Sequence, residues 1–347
     1  MNQKQLIKIL ISFLFVFALS IIWYGFKIFK KVYLPNVNIN EKYYNIYIPT
    51  GSTFDDVLKI IDSTRILKNM NTFIWVAEKR NYHKNIKPGC YRIKNKMTNN
   101  QLVNKLKYGI QDPVKLIINN IRTKEQLAKA VSKQIETDSL SLIQLLNDDK
   151  YLKEIGYTKE TILSIFIPNT YEFWWNTNAK QFIERMLKEY NKFWNKERLN
   201  KAKEAGLTPL EVIILASIIE EETIHNSEKP IIAGVYINRL NKNIPLQADP
   251  TIKFILGDLS IRRILKKDLL IESPYNTYQN IGLPPGPIRI PSISSIDAVL
   301  NYKKHNYYYF CASPDFSGYH VFSETLDEHN LNARLYQKKL NKNKIYR

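Results

Sequence analysis

An unbroken apolar run near the N-terminus constrains this chain more than any other feature. From Ile9 to Phe26 it reads ILISFLFVFALSIIWYGF, with no charged residue. That length reaches the lower edge of the roughly 17–25 residues that carry a helix across a bilayer. Trp23 and Tyr24 stand at one end of the run, where interfacial aromatics belong. A buried core helix of this kind would need partners around all its faces. A cleaved signal peptide has a shorter apolar region, about 7–15 residues, closed by a small-x-small site, and no such site follows here. The expectation is an uncleaved membrane anchor over residues 1–31, with its transmembrane helix at about 9–26. Lys4 and Lys8 precede the run and Lys27, Lys30 and Lys31 follow it, so flanking charge does not fix the orientation.

Composition describes the rest. Of 347 residues, 44% are apolar and 24% charged, which supports a folded body with a real core and excludes a disordered, collagen-like or multi-span chain. Two cysteines exclude a disulfide-dense scaffold and a cysteine-rich zinc module. Cys90 and Cys311 fall in different segments and are expected as free, buried thiols. The five histidines show no metal-ligand spacing. No glycine-rich phosphate loop and no Ser-His-Asp order appears, so no metal or cofactor is expected. The net charge of +19 favours anionic partners such as nucleic acid, lipid headgroups or an acidic polymer. The lysines are scattered, without a stacking module or Arg-rich stripe, which favours a background compositional bias with a weak membrane-surface benefit over nucleic acid.

The body reads as α+β. Residues 32–42 form a polar linker. A small module follows at 43–110: strand Tyr44–Ile48, a helix opening at Phe54 with Ser52 or Thr53 as cap, a helix at Asn71–Lys79, strand Cys90–Ile93 after the Pro88-Gly89 turn, and a helix begun by Thr98. This order resembles a LysM-like fold, a glycan-gripping module in many proteins. Fold alone leaves glycan contact and mere packing both open. Residues 111–347 form the larger domain: strand Val114–Ile118, a helix from Lys124, helix-rich sequence to about 240, then turns, prolines and short strands after Gln247. Leu326–Leu340 is a closing helix, and Lys338–Arg347 a frayed basic tail.

The chemistry gathers in the second half. Leu210 to Glu222 reads LEVIILASIIEEE. Thr208 caps the helix, Pro209 opens it, and Glu211 completes a capping box. A helix apolar almost all round is buried. It ends in Glu220, Glu221 and Glu222, where the dipole opposes negative charge. Burial disfavours the charged form and raises a carboxyl's pKa, as a general acid near neutrality requires. An acidic cluster at a helix end is also a common solvated cap, and these residues alone do not single out one of the three. Downstream stand Val235–Leu240 (VYINRL), Leu246–Thr251 (LQADPT), Ser273–Tyr278 (SPYNTY) and Gly282–Ile288 (GLPPGPI). Amides, hydroxyls and tyrosines on proline-stiffened turns suit a sugar-binding cleft, but taken singly these strings read first as ordinary loop chemistry.

The sequence of motifs ASIIEEET, YINRL, LQADPT, SPYNTY, GLPPGPI and GYHVFSETLDEH resembles the endolytic murein transglycosylases of the YceG-like (MltG) family, over essentially the whole chain. Pro168-Asn169-Thr170-Tyr171 matches a further segment. Arg289-Ile290-Pro291-Ser292 departs from the usual I-x-N-P-G. The resemblance implies cleavage of the β-1,4 bond between N-acetylmuramic acid and N-acetylglucosamine within glycan strands, without water, leaving a 1,6-anhydro end. It maps the catalytic acid onto Glu220. Asn238, Gln247, Asp249, Tyr275, Asn276 and Tyr278 are the candidate substrate contacts. Arg239 is expected to pair with a local carboxylate, and His320 and His329 to be structural. The implied partners are peptidoglycan strands, the cytoplasmic membrane and peptidoglycan synthases, with the body on the extracytoplasmic side and a role in ending nascent strands. The competing expectation is an inactive membrane-tethered glycan anchor or a cell-wall synthesis scaffold.

Overall fold

The computed structural model describes residues 3–258, 261 and 264–342. The tail beyond Lys342 lies outside the described residues. The chain divides into two compact units. The first takes residues up to Lys115 together with 134–136 and 172–177, where the sequence places 111–115 and both short segments in the larger domain.

In the first unit, α1 (Gln3–Tyr33) runs continuously through the apolar stretch and past it. Then come β1 (Tyr43–Ile48), α2 (Phe54–Thr64), α3 (Met70–Lys79), β2 (Gly89–Lys94) and α4 (Asn99–Lys107). β1 and β2 pair antiparallel, Tyr43 opposite Lys94 and Ile48 opposite Gly89. Thr53, not Ser52, caps α2, and Asp56 reciprocates in a capping box; Thr98 and Gln101 do the same for α4. Ile46, Ile48, Val57, Ile61, Phe73, Tyr91 and Leu102 form the core. The stretch read as a polar linker is packed along part of its length. Asn36 and Val37 are buried, and backbone bonds tie residues 36–38 to Ile66, Lys68, Lys96 and Met97. Cys90 is a buried free thiol.

The second unit is mostly helical. In chain order the elements that fall in it wholly or in part are β3 (Val114–Ile118, in it from Leu116), α5 (Lys124–Ser132), α6 (Ser139–Leu146), α7 (Asp149–Glu154), β4 (Asn169–Phe173, in it to Tyr171), α8 (Ala179–Phe193), α9 (Lys196–Glu204), α10 (Pro209–Glu222), α11 (Lys229–Asn241), α12 (Asp249–Leu256), α13 (Ile293–Leu300), β5 (Tyr309–Ala312), β6 (His320–Ser323) and α14 (Leu326–Lys342). β3 pairs with β4. β5 and β6 form an antiparallel hairpin, against which α14 packs. Cys311, on β5, is a half-buried free thiol.

α10 is the axis of this unit. Its capping box forms as expected, with Thr208 and Glu211 exchanging bonds. Val212 through Ile219 are all buried, under α9, α11, α12 and α13. After Gln247 the expected turns and short strands, β5 and β6, are present, and two short helices, α12 and α13, stand among them. Pro250 lies in the first turn of α12, where a missing N–H costs nothing.

The GLPPGPI segment locks onto this core. Ile288 N–H donates to the buried Ser217 hydroxyl at 3.0 Å. A Cβ at Gly286 would lie 2.1 Å from the Glu160 carbonyl oxygen, so only glycine lets the two backbones meet. Gly286→Ala is expected to destabilise the fold by about 1–3 kcal/mol, measured as a lowered urea midpoint.

Candidate functional site

Successive residues on a helix diverge by about 100°, so the three terminal carboxylates of α10 face three neighbourhoods. Glu220 faces the start of α13. Its Oε2 accepts from Ser292 Oγ at 2.5 Å, from Lys229 Nζ at 3.1 Å, and from Ser295 Oγ. Ser292 is also the N-cap of α13, accepting from Ser295 N–H, so the carboxylate meets the positive end of that helix. Burial works to raise the Glu220 pKa, but hydrogen bonds from Ser292 and Ser295 and the Lys229 ammonium outweigh it and hold the group below its ordinary value. The direction is opposite to the one expected from burial alone.

Glu221 is clamped by two guanidiniums. Its Oε1 accepts from Arg122 Nη2 at 2.8 Å and from Arg289 Nη1. Arg289 also donates to Asn120 Oδ1 at 2.8 Å. Arg289, at the variable position of the I-x-N-P-G pattern, thus has a local partner in Glu221.

Glu222 faces α11 and the start of α12. Its Oε1 accepts from Tyr236 Oη at 2.5 Å. Burial is the largest influence and pushes its pKa up to about 7; the Tyr236 hydrogen bond pulls it down, and the negative charge of Asp249 pushes it up again. Asp249 Oδ1 accepts from Tyr278 Oη at 2.5 Å. Burial and the charge of Asp249 keep that phenol protonated. Gln247 and Asp249 are exposed and Tyr278 half-buried, so this cluster opens to solvent. Gln247 adopts a left-handed backbone, φ 52°, a conformation a non-glycine residue holds only when its surroundings impose it. Here the imposing contacts are its N–H to Thr277 O at 2.9 Å and its Oε1 to Arg239 Nη1 at 3.2 Å.

Of the expected contacts, Asp249 and Tyr278 therefore lie near Glu222, and Gln247 is bonded to Arg239, whose charge also acts on Tyr278. Tyr275 is half-buried against Phe254, with ring centroids 4.8 Å apart. Asn276 is fully buried; its amide donates to Leu269 O and Ile271 O and its oxygen accepts from Tyr278 N–H. It shapes the turn from within and has no surface to offer a sugar. The Asn238 amide donates to His305 O at 2.8 Å and Tyr307 O at 3.0 Å, so it fastens the strand leading into β5. Among the described residues Arg239 pairs with no carboxylate. Its guanidinium donates to the carbonyls of Tyr308, Pro245 and Leu246, because the buried end of α11 meets backbone there and not an acid. His320 pairs with Glu228 at 3.1 Å, and His329 lies over Tyr309. Among the described residues no cluster of three His, Cys, Asp or Glu could hold a metal ion.

Sequence reasoning missed Lys229, Ser292, Ser295 and Tyr236. Ser292 and Ser295 stand 72 and 75 residues from the acid they touch, and no local pattern joins them.

Comparison with known proteins bears on this site. The model of the YceG-like family matches residues 46–335. An "Endolytic murein transglycosylase" of Bacillus subtilis (strain 168) is 30% identical over 304 residues, 82% of each chain. One of Streptococcus pneumoniae serotype 2 (strain D39 / NCTC 7466) is 27% identical over 93% of this chain, which spans 64% of that relative's length. A crystal structure of a yceG-like protein from Listeria monocytogenes superposes with a TM-score of 0.55 at 31% identity, covering 84% of this chain and 98% of that one.

Proposed function

The chain belongs to the YceG-like family, and from that premise we propose that it is a membrane-anchored endolytic murein transglycosylase whose proton donor is Glu222. The observation that carries this reading is the placement of the Glu222 carboxyl, which accepts from Tyr236 at 2.5 Å and stands near the Asp249–Tyr278 pair, where burial pushes its pKa up to about 7. Glu220, to which the resemblance points, is paired with Lys229, which with the Ser292 and Ser295 hydroxyls holds its pKa below the ordinary value.

The reaction follows from one carboxyl. Protonated Glu222 gives its proton to the glycosidic oxygen as the bond from C1 to that oxygen breaks. Positive charge develops on the muramyl ring. The Glu222 carboxylate then takes the proton of the C6 hydroxyl, whose oxygen closes on C1. The carboxyl ends as it began, no water is consumed, and the product carries a 1,6-anhydro end. Asp249, engaged by Tyr278, serves to keep Glu222 protonated by like-charge repulsion, and not as a nucleophile.

α1 holds a window of mean hydropathy 2.5 with none of it buried, which supports a membrane span. The substrate then places the body on the extracytoplasmic side, where cleavage near the membrane would end nascent strands and bring the enzyme beside peptidoglycan synthases. The first unit, with its strand–helix–helix–strand order, is the candidate for additional glycan contact.

The test is digestion of purified peptidoglycan with wild type, Glu222→Gln and Glu220→Gln, read by mass spectrometry. Anhydro ends are expected from wild type and Glu220→Gln and not from Glu222→Gln. The reverse pattern would return the acid to Glu220. Reducing ends would mean hydrolysis, and no release by any form would favour an inactive anchor or a scaffold.

Tyr236 offers an independent check. Its hydroxyl stabilises the ionised form of Glu222, so Tyr236→Phe should raise the Glu222 pKa further. Activity requires the protonated form and falls as pH rises through that pKa. The basic limb of kcat/KM is therefore expected to move to higher pH in Tyr236→Phe, and an unmoved limb would count against Glu222 as the acid.

A further inference from the structure

The end of α1 is built into the first unit by buried amides. Asn99 Nδ2 donates to the Lys31 carbonyl and to Thr72 Oγ1, each at 2.9 Å. Asn36 Nδ2 donates to Asn99 Oδ1 at 2.8 Å and to Asn69 O at 2.9 Å, while Asn36 Oδ1 accepts from Asn69 N–H at 2.9 Å. Asn36 is 6% and Asn99 1% exposed. Val32 packs on the unit's apolar core, and the Lys31 ammonium lies 5.2 Å over the Trp75 ring. Pro35 and Val37 bridge to Thr98 and Leu67. A satisfied buried amide network specifies one arrangement, so α1 enters the unit without a hinge.

Length sets the height of that junction. The apolar run ends at Phe26, and Lys31 lies five residues on, about 7.5 Å along the axis at 1.5 Å per residue. The polar layer on each side of a bilayer's hydrocarbon is about 5–8 Å deep. Lys31, Asn99 and Trp75 therefore fall at headgroup level. Lys27, Lys30 and Lys31 are exposed there, a cluster suited to anionic headgroups, and a half-buried tryptophan suits the same depth.

We propose that the first unit rests on the anionic headgroup layer of the membrane that α1 enters, held down by the continuous helix and its Asn36–Asn99 junction. This rests on the membrane reading of α1. The occupant of the Lys27–Trp75 surface is lipid headgroup, not glycan.

The experiment uses the full chain in vesicles of phosphatidylcholine and phosphatidylglycerol. A bimane fluorophore is placed at Trp75→Cys in a Cys311→Ser background and probed with a headgroup-nitroxide lipid. Strong quenching is expected, with loss of quenching when a flexible Gly-Ser segment is inserted between Phe26 and Lys27. That insertion leaves every contact of the junction intact, so folding of the unit is not at stake. Asn99→Ala should reduce quenching through the junction itself. An unquenched probe on a chain that floats with the vesicles, or quenching indifferent to the insertion, would overturn the inference. A chain that does not float would remove the membrane reading and this inference with it, while leaving the transglycosylase reading to the peptidoglycan digest.

Discussion

Glu222→Gln is expected to lower glycan cleavage by about two to four orders of magnitude, the range for removing a general acid. The same substitution should make the fold more stable above neutrality, and the two effects together distinguish a proton donor from a structural acid. The sign follows from linkage. The Glu222 pKa is raised from 4.5 to about 7 in the folded chain. Between those values the native state holds a proton that the unfolded chain has released. Stability from this group is therefore full below pH 4.5 and is lost as pH rises toward 7. Above that, ionising a buried carboxyl costs on the order of 3 kcal/mol. Glutamine does not ionise, so the variant should lack this slope. Urea midpoints at pH 5 and pH 8 measure it: wild type should lose stability across the interval that Glu222→Gln retains. A fully active variant would sink the assignment. An inactive variant with the wild-type slope would place the loss of activity elsewhere.

The difference between what could and could not be read from the sequence is physical. α10 was legible because its signals are local: Thr208, Pro209 and Glu211 within four residues, then a run too apolar for any face to meet water. The same uniformity hid the site. A helix buried all round has no amphipathic face, so periodicity cannot say which way Glu220, Glu221 and Glu222 point. The argument that burial raises a carboxyl's pKa had the correct sign, but donors brought by distant segments decide where it prevails. Lys229, Ser292 and Ser295 reverse it at Glu220; the single phenol of Tyr236 does not reverse it at Glu222. Asn276 and Asn238 looked like sugar contacts because an amide on a turn serves a ligand or a backbone equally well. Asn36 looked like linker because its partners, Asn69 and Asn99, lie 33 and 63 residues away.

Glu220→Gln is expected to destabilise the fold at pH 7 by about 2–4 kcal/mol, slightly less than is usual for stripping one partner from a buried ion pair. Lys229 is 4% exposed, and Glu220 is the carboxylate it touches. The amide oxygen of glutamine still accepts from Ser292 and Ser295, which softens the loss, but the buried ammonium is left without countercharge. The folded-state pKa of Glu220 lies below 4.5, so its contribution is present above pH 4.5 and is lost as pH falls through that lower value. Wild type and variant should therefore converge in stability on acidification. Adding Lys229→Met removes the orphaned charge, and the double variant should regain most of the lost stability, because replacing a whole buried pair is far less costly than breaking it. Urea denaturation of the two single variants and the double at pH 7 supplies the cycle. Additive losses, with no recovery in the double variant, would show that Glu220 and Lys229 are not a pair in solution. Glu220 would then be free to take up a proton, and its claim to be the catalytic acid would stand again beside that of Glu222.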